Sequence, residues 1–129
     1  MAVDFTPEKI LVIDDEEIVR EITQRVLERA GFDVFTASNG REGLKFFEEN
    51  LSEISLVLLD LTMPYVSGQE VFRRIRHLRA DVPIVVMSGY NQQELSDQFS
   101  GNGLSGFLHK PFRPEMLLNQ IATVLQAAA

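Results

Sequence analysis

A short apolar run that ends in an aspartate constrains this chain most. Residues 56–59 are all apolar and are followed directly by Asp60. A run of this kind, without alternation, is typical of a parallel strand that is buried on both faces. A second run, residues 10–13, ends in Asp14 and Asp15. Because ligands bind at the carboxyl ends of strands in open α/β sheets, we expect these carboxylates to meet at one sheet edge. Carboxylates this close repel one another unless a cation or protons are present, which predicts a functional site.

Length and composition predict one folded domain. The chain has 129 residues, 45% of them hydrophobic, so we expect a single domain over residues 1–129 with a core from about 8 to 126. The absence of cysteine excludes disulfides, thiolate metal ligands and thiol catalysis. A net charge of −7 argues against direct nucleic-acid binding. Neither a membrane span nor a secretory signal is visible, so we expect a cytoplasmic location with no membrane contact in this domain.

Strand-period and helix-period segments alternate along the whole chain. The predicted strands are residues 9–13, 33–37, 56–59, 83–87 and 106–108. The predicted helices after the first are residues 41–49, 69–78, 92–99 and 114–126. The first helix carries Ile18, Ile22 and Val26 at a four-residue spacing that predicts one apolar face, and it ends at Gly31. The pattern predicts an α/β fold with a parallel sheet and helices on both faces. The helix over residues 92–99 has few apolar residues, so we expect it to be the least stable element.

The residues at the predicted strand ends fit one chemistry, the transfer of a phosphoryl group to an aspartate. Asp60 can act as the nucleophile and form an acyl phosphate. Asp14 and Asp15 can hold Mg²⁺, which prefers carboxylate oxygens. Lys110 and Ser88 can bind phosphoryl oxygens as charge develops on them.

Four motifs in this order resemble the signature of the response-regulator receiver domain of two-component signalling. They are Asp14-Asp15, Asp60-x-x-Met63-Pro64, Ser88-Gly89 and Lys110-Pro111-Phe112. The resemblance runs from Lys9 to Leu125. It implies a flavodoxin-like, doubly wound sheet of five parallel strands in the order 2-1-3-4-5, which is also the strand order of a chemotaxis receiver.

The resemblance also implies a role for each site residue. Asp60 would be the phosphoacceptor, with Lys110 and Ser88 binding the phosphoryl group. Mg²⁺, or Mn²⁺ in its place, would be held by Asp60, directly by Asp15, through water by Asp14, and by the backbone carbonyl of Thr62.

Further residues would control the response to phosphorylation. Ser88 and Phe107 occupy the positions of the switch residues. Thr62 and Tyr90 would tune the hydrolysis of the acyl phosphate. The peptide bond before Pro111 would be cis.

A histidine kinase or a phosphotransfer domain is the partner that the resemblance implies as donor. Phosphorylation would change the surface formed by the helix over residues 92–99, the fifth strand and the last helix. The isolated domain would be no enzyme beyond its own phosphorylation and dephosphorylation, and it would be a monomer or a weak dimer. The region from Ser88 to Leu108 is similar to receivers of hybrid sensor histidine kinases, although a free-standing regulator would look much the same.

Two other functions compete with this interpretation. A Mg²⁺-dependent phosphatase of the haloacid-dehalogenase kind also uses an aspartate at a strand end, but it needs a second aspartate where this chain has Thr62. A phosphorylation-independent interaction domain would not need Asp60, Lys110 and the acidic pair together. A stripe of Arg73, Arg76 and Arg79 on the third helix is predicted to be a solvated face rather than a partner site.

Overall fold

Five parallel strands form one sheet, in a computed structural model that describes residues 6–89 and 105–128. The strands are β1 (Lys9–Ile13), β2 (Asp33–Ala37), β3 (Leu56–Asp60), β4 (Ile84–Ser88) and β5 (Gly106–His109). Their order is β2-β1-β3-β4-β5, and every neighbouring pair is parallel. The predicted fold and strand order are therefore confirmed.

Four helices connect or follow the strands in the described residues. They are α1 (Glu17–Arg29), α2 (Gly40–Glu49), α3 (Gly68–Leu78) and α4 (Pro114–Ala128). The helix predicted over residues 92–99 lies outside the described residues. None of the described helices is both long and apolar enough to cross a lipid bilayer.

The sheet separates two apolar clusters, one on each face. Strand residues alternate between them, so that Leu11 and Leu59 belong to the first cluster and Val12 and Leu58 to the second. The first cluster is closed by α2 and α3, and the second by α1 and α4. Because both faces of β1, β3 and β4 are covered, their apolar side chains are fully buried and the strands cannot shift in register without exposing or overpacking a cluster.

The register places the site residues at one edge. Ile13 of β1 is level with Leu59 of β3, so Asp14 and Asp60 leave the sheet side by side. Asp60 is itself the last residue of β3 and pairs with Met87 of β4. The strands β3, β4 and β5 thus end one residue further toward the site than predicted, whereas β1 ends at Ile13 as predicted.

The buried face of α1 differs from the prediction. Ile18 and Ile22 are 71% and 54% exposed, whereas Thr23 and Leu27 are buried. Successive residues of a helix are rotated by about 100°, so the row of Ile18, Ile22 and Val26 lies beside the row that contains Thr23 and Leu27. Both rows have a four-residue spacing, and a prediction from apolar content selects the first row because all three of its residues are apolar. The apolar face predicted from Ile18, Ile22 and Val26 is therefore not the buried face of the helix, and of these three residues only Val26 is partly buried.

The three arginines Arg73, Arg76 and Arg79 are predicted to form a solvated face, and two of them are instead half-buried. Arg73 is exposed, as expected for a solvated face. Arg76 is half-buried and donates to a main-chain carbonyl. Arg79 donates through Nη1 to the carbonyls of Leu51 and Ile54, at 3.1 and 2.6 Å. Arginine carries several donors in a planar fork, and here they satisfy carbonyls of the turn before β3.

Candidate functional site

The carboxyl ends of three neighbouring strands deliver buried polar groups to one place. Asp14 follows β1, Asp60 ends β3 and Ser88 ends β4, and they are 0%, 1% and 0% exposed. Apart from these three, Thr23 of α1 is the only polar residue that is buried in the described part of the chain. Burying a charge without a partner lowers the stability of the folded state, so the buried carboxylates at this edge of the sheet reduce the free energy of unfolding unless they are paired.

Lys110, just after β5, supplies the positive charge. Its Nζ lies 2.9 Å from Oδ2 of Asp14, 3.1 Å from Oε1 of Glu16 and 3.4 Å from Oδ2 of Asp60. Its backbone N–H donates to the carbonyl of Ser88 at 2.8 Å, which ties the lysine to the end of β4. The Lys110-Pro111 peptide bond is cis. One ammonium therefore bridges carboxylates from two different strands.

The loop after β3 fixes the carboxylate of Asp60 from the other side. The Thr62 N–H donates to Oδ1 of Asp60 at 3.0 Å. A Cβ on Gly68 would lie 2.6 Å from the carbonyl oxygen of Asp60 and 2.5 Å from Cα of Leu61, so only glycine lets α3 begin this close to the site. The same loop holds Tyr65 at φ 69° with its side chain fully exposed.

Asp14 is held at both carboxylate oxygens. Oδ1 accepts from the N–H of Glu16 at 2.9 Å, and Oδ2 accepts from Lys110. The guanidinium of Arg20 donates to the Asp14 carbonyl at 2.9 Å, which links the first turns of α1 to the end of β1. The orientation of this carboxylate is therefore set before any ligand binds.

The three aspartates fit a divalent cation. Asp14, Asp15 and Asp60 each offer a carboxylate oxygen, and these oxygens lie within 4.8 Å of one another. Oδ1 of Asp15 and Oδ2 of Asp60 are buried without a hydrogen-bond partner in the described residues. Unpartnered buried carboxylate oxygens are costly, and hard oxygen donors suit Mg²⁺ or Mn²⁺. The residues present could thus hold such an ion.

Burial dominates the protonation of Asp60. Desolvation, with a smaller effect from the charge of Asp14, raises the pKa of Asp60 from 3.8 to about 7, against the opposing hydrogen bond from Thr62 and the charge of Lys110. Desolvation lowers the pKa of Lys110, but the hydrogen bond and charge of Asp14 outweigh it and hold that pKa above 10.5. Without a bound cation, the site therefore holds a charged lysine and an aspartate that takes up a proton near neutral pH.

The structure brings together most of the site residues that the sequence predicts. Asp14, Asp15, Asp60 and Lys110 form one cluster, and Ser88 lies at its edge through the backbone contact with Lys110. Thr62 contributes its N–H, and its carbonyl as a metal ligand stays a prediction.

Of the other predicted residues, Phe107 is separate from this cluster. Phe107 is half-buried on β5 and packs against the apolar cluster beneath α2 and α3. Tyr90 lies outside the described residues.

Two residues in contact with the cluster were missed by sequence reasoning. Glu16 forms an ion pair with Lys110, and Arg20 holds the Asp14 carbonyl. The acidic run from Asp14 to Glu17 was a signal for the first, since four consecutive acids need a nearby cation. Nothing in the sequence pattern marks Arg20, because its target is a main-chain atom.

Comparison with known proteins gives one consistent family. The model of the family described as response regulator receiver domain matches residues 10–122. The chain is 39% identical over 123 residues to the probable transcriptional regulator ycf27 of Porphyra purpurea, covering 94% of this chain and 49% of that protein. It is 37% identical over 117 residues to the CAI-1 autoinducer sensor kinase/phosphatase CqsS of Vibrio cholerae, covering 88% of this chain and 17% of that protein. The chain thus spans half or less of the length of these relatives.

A solved structure agrees with the fold over nearly the whole chain. The response regulator TrrA of Thermotoga maritima, in complex with Mg(2+)-BeF, superposes with a TM-score of 0.79 at 32% sequence identity. The match covers 91% of this chain and 98% of that chain.

Replacing Asp60 with Asn should stabilise the metal-free protein above neutral pH. Because folding raises the pKa of Asp60 from 3.8 to about 7, protonation of Asp60 favours the folded state. This contribution to the free energy of unfolding has its full value when the pH is below 3.8. The contribution is lost as the pH rises through the pKa of the folded state, about 7. Asn carries no charge to bury. We expect Asp60→Asn to melt about 3–10 °C above wild type near pH 8, with the gap narrowing toward about pH 5, in calorimetry with a chelator.

The exposed Asp33 provides the control for this measurement. Asp33→Asn should change the melting temperature little at either pH. A gap for Asp60→Asn that does not depend on pH would contradict the assigned burial effect.

Proposed function

The chain belongs to the response regulator receiver family of two-component signalling, and on this premise we propose that Asp60 accepts a phosphoryl group from a protein phosphohistidine in a Mg²⁺-dependent reaction. The contact of Lys110 with both Asp14 and Asp60 at the strand ends carries this proposal. A nucleophilic carboxylate, a cation site and a fixed ammonium are the groups that phosphoryl transfer needs, and here they lie within hydrogen-bond or ion-pair distance of one another.

The transfer step is a displacement at phosphorus. A carboxylate oxygen of Asp60 forms the new O–P bond as the N–P bond of the donor imidazole breaks. The electron pair of the broken bond stays on the imidazole nitrogen, which takes up a proton. Asp60 must be charged to attack, and its pKa of about 7 without a cation means that a substantial fraction is protonated near neutral pH.

Asp15, Asp14, Asp60 and the carbonyl of Thr62 would hold the metal ion. When bound, Mg²⁺ would supply positive charge that stabilises the phosphoryl oxygens and favours the ionised form of Asp60. The buried, unpartnered oxygens of Asp15 and Asp60 support this assignment. In the family, acidic residues at this edge bind Mg²⁺.

Lys110 and Ser88 would bind the phosphoryl oxygens after transfer. The Nζ of Lys110 is already 3.4 Å from Oδ2 of Asp60, so a small movement brings it to a phosphoryl oxygen on that atom. Ser88 ends the neighbouring strand and is fully buried. Thr62 and Tyr90 would tune the access of water to the acyl phosphate, and Thr62 is exposed on the loop beside Asp60.

The switch would run from Ser88 to Phe107. Both lie on neighbouring strands, with Ser88 level with His109 and Phe107 level with Val86. Movement of Ser88 toward the phosphoryl group would let Phe107 repack, and the surface of residues 92–99, β5 and α4 would change. Phe107 is half-buried, so the core does not enclose it completely, which supports this movement.

We infer a single receiver domain over residues 1–129, with its core from about 8 to 126. Receiver domains interact with histidine kinases or phosphotransfer proteins and act in signalling rather than as enzymes. The phosphoryl donor of this chain would be a protein of that kind, inside the cell. Similarity to the sensor kinase CqsS supports an origin in a hybrid kinase, and similarity to ycf27 supports a response regulator.

The phosphoacceptor is tested by chemical phosphorylation. Acetyl phosphate with Mg²⁺ should add one phosphoryl group to wild type, and intact-mass and peptide mass spectrometry should place it on Asp60. Asp60→Asn should remain unmodified, because the amide is a poor nucleophile. The phosphoryl group found on any other residue would refute the assignment.

The metal site is tested by thermal unfolding with and without Mg²⁺. An ion that binds only the folded state raises stability, by about 2.7 kcal/mol at a hundredfold excess over its dissociation constant, or several degrees in melting temperature. Asp15→Asn should lose most of this shift, since it removes one direct ligand. Glu17→Gln, which removes an equal charge from an exposed position of α1, should keep it. Equal shifts in both variants would rule out Asp15 as a ligand.

The switch is tested by hydrogen exchange with and without beryllofluoride. Addition of Mg²⁺ and beryllofluoride should slow exchange in β5 and the segment before it. Phe107→Leu should weaken this effect, and Phe107→Tyr should largely preserve it, because the repacking needs a ring. Protection confined to residues beside Asp60 in the wild type would show that the signal does not leave through this surface.

A further inference from the structure

Lys110 is shared unequally among the carboxylates around it. An ammonium has three N–H donors. It lies at hydrogen-bond distance from Asp14 and Glu16, at 2.9 and 3.1 Å, but at 3.4 Å from Oδ2 of Asp60. That oxygen of Asp60 is buried and accepts no hydrogen bond in the described residues. The ammonium is therefore drawn toward the end of β1 and away from the nucleophile.

The backbone of Glu16 directs its side chain to Lys110. The N–H of Glu16 donates to Oδ1 of Asp14, and its carbonyl accepts from the N–H of Arg20 in the first turn of α1. Glu16 is the N-cap residue of α1, yet its side chain makes no capping hydrogen bond. An N-cap side chain commonly satisfies a free N–H of the helix. Here the carboxylate is turned to the lysine instead, although it is 59% exposed.

We propose that Glu16 is a positioning residue that holds Lys110 off Asp60 until a phosphoryl group arrives. The proposal deepens the phosphoacceptor function above and rests on it. Lys110 has a third N–H to offer a phosphoryl group on Asp60, but its Nζ must move toward Asp60 to make that hydrogen bond, and the contact with Glu16 at 3.1 Å opposes the movement. The strength of the pair between Glu16 and Lys110 therefore sets part of the affinity of the site for phosphoryl oxygens.

Removing the charge of Glu16 should release the lysine. Glu16→Gln keeps the size of the side chain, and Glu16→Ala removes its reach altogether. Both variants should bind beryllofluoride, an analogue of the phosphoryl group, more tightly in the presence of Mg²⁺. The expected gain is about 1.5- to 5-fold, the range that a partly exposed ion pair contributes.

Glu17→Gln is the matched control. Glu17 carries the same charge one residue further along the chain and is exposed. No ion pair joins it to Lys110 within residues 6–89 and 105–128. A general effect of net charge on anion binding would therefore appear in Glu17→Gln as well, whereas release of the lysine would not.

The experiment combines beryllofluoride titration with NMR of the lysine side chains. The chain contains only Lys9, Lys45 and Lys110, so ¹⁵N-lysine labelling gives few signals, and Lys110→Arg assigns the relevant one. The wild-type chain and the variants at positions 16 and 17 are compared, first free and then with Mg²⁺ and beryllofluoride. Melting temperatures establish that all of them are folded.

The proposal predicts a combined result. The Lys110 signal of the free protein should shift in both Glu16 variants and stay unchanged in Glu17→Gln. The affinity for beryllofluoride should likewise rise in both Glu16 variants and stay unchanged in Glu17→Gln. An unmoved Lys110 signal, or equal gains in the Glu16 and Glu17 variants, would overturn the proposal. Failure of the wild type to bind beryllofluoride would instead refute the phosphoacceptor function, while the signal of the free protein would still report whether Glu16 holds the lysine.

Discussion

Lys110 reaches from the end of β5 to the carboxylates at the ends of β1 and β3, and the site depends on this contact. Asp14 and Asp60 are both buried, and two buried carboxylates at one sheet edge repel each other. A single ammonium among them offsets part of that repulsion and leaves the cluster negative overall. Burial, with a smaller effect from the charge of Asp14, raises the pKa of Asp60, and the remaining negative charge favours the binding of a divalent cation.

The rest of the fold makes this imbalance tolerable. The apolar clusters on the two faces of the sheet are continuous and closely packed, and they fix the strand register on which the site depends. Their burial stabilises the domain enough to hold unpartnered oxygens of Asp15 and Asp60. Functional sites commonly carry such local costs, because groups that are fully satisfied in the free protein have little to gain from a ligand.

The residues at the periphery of the site are held in position differently from those at its centre. At the centre, burial fixes Asp14 and Asp60, and Lys110 is half-buried. At the periphery, Glu16 and Tyr65 are exposed, and their positions follow from the backbone of the loops that carry them. Exposed loop positions tolerate substitution more readily than buried ones, so these peripheral residues can be replaced while the buried carboxylates and the lysine stay in place.

The sequence alone determined the parallel sheet, its buried strands and the convergence of Asp14, Asp60 and Lys110, because uninterrupted apolar runs and a recurring alternation of elements allow few other arrangements. It did not determine which row of α1 is buried, since Ile18 and Thr23 lie on neighbouring rows of the same helix. The ion pair between Glu16 and Lys110 joins residues 94 positions apart, and only the folded sheet brings them within 3.1 Å. Contacts of this kind depend on side-chain direction at the end of a strand, which tertiary packing decides and local spacing does not encode.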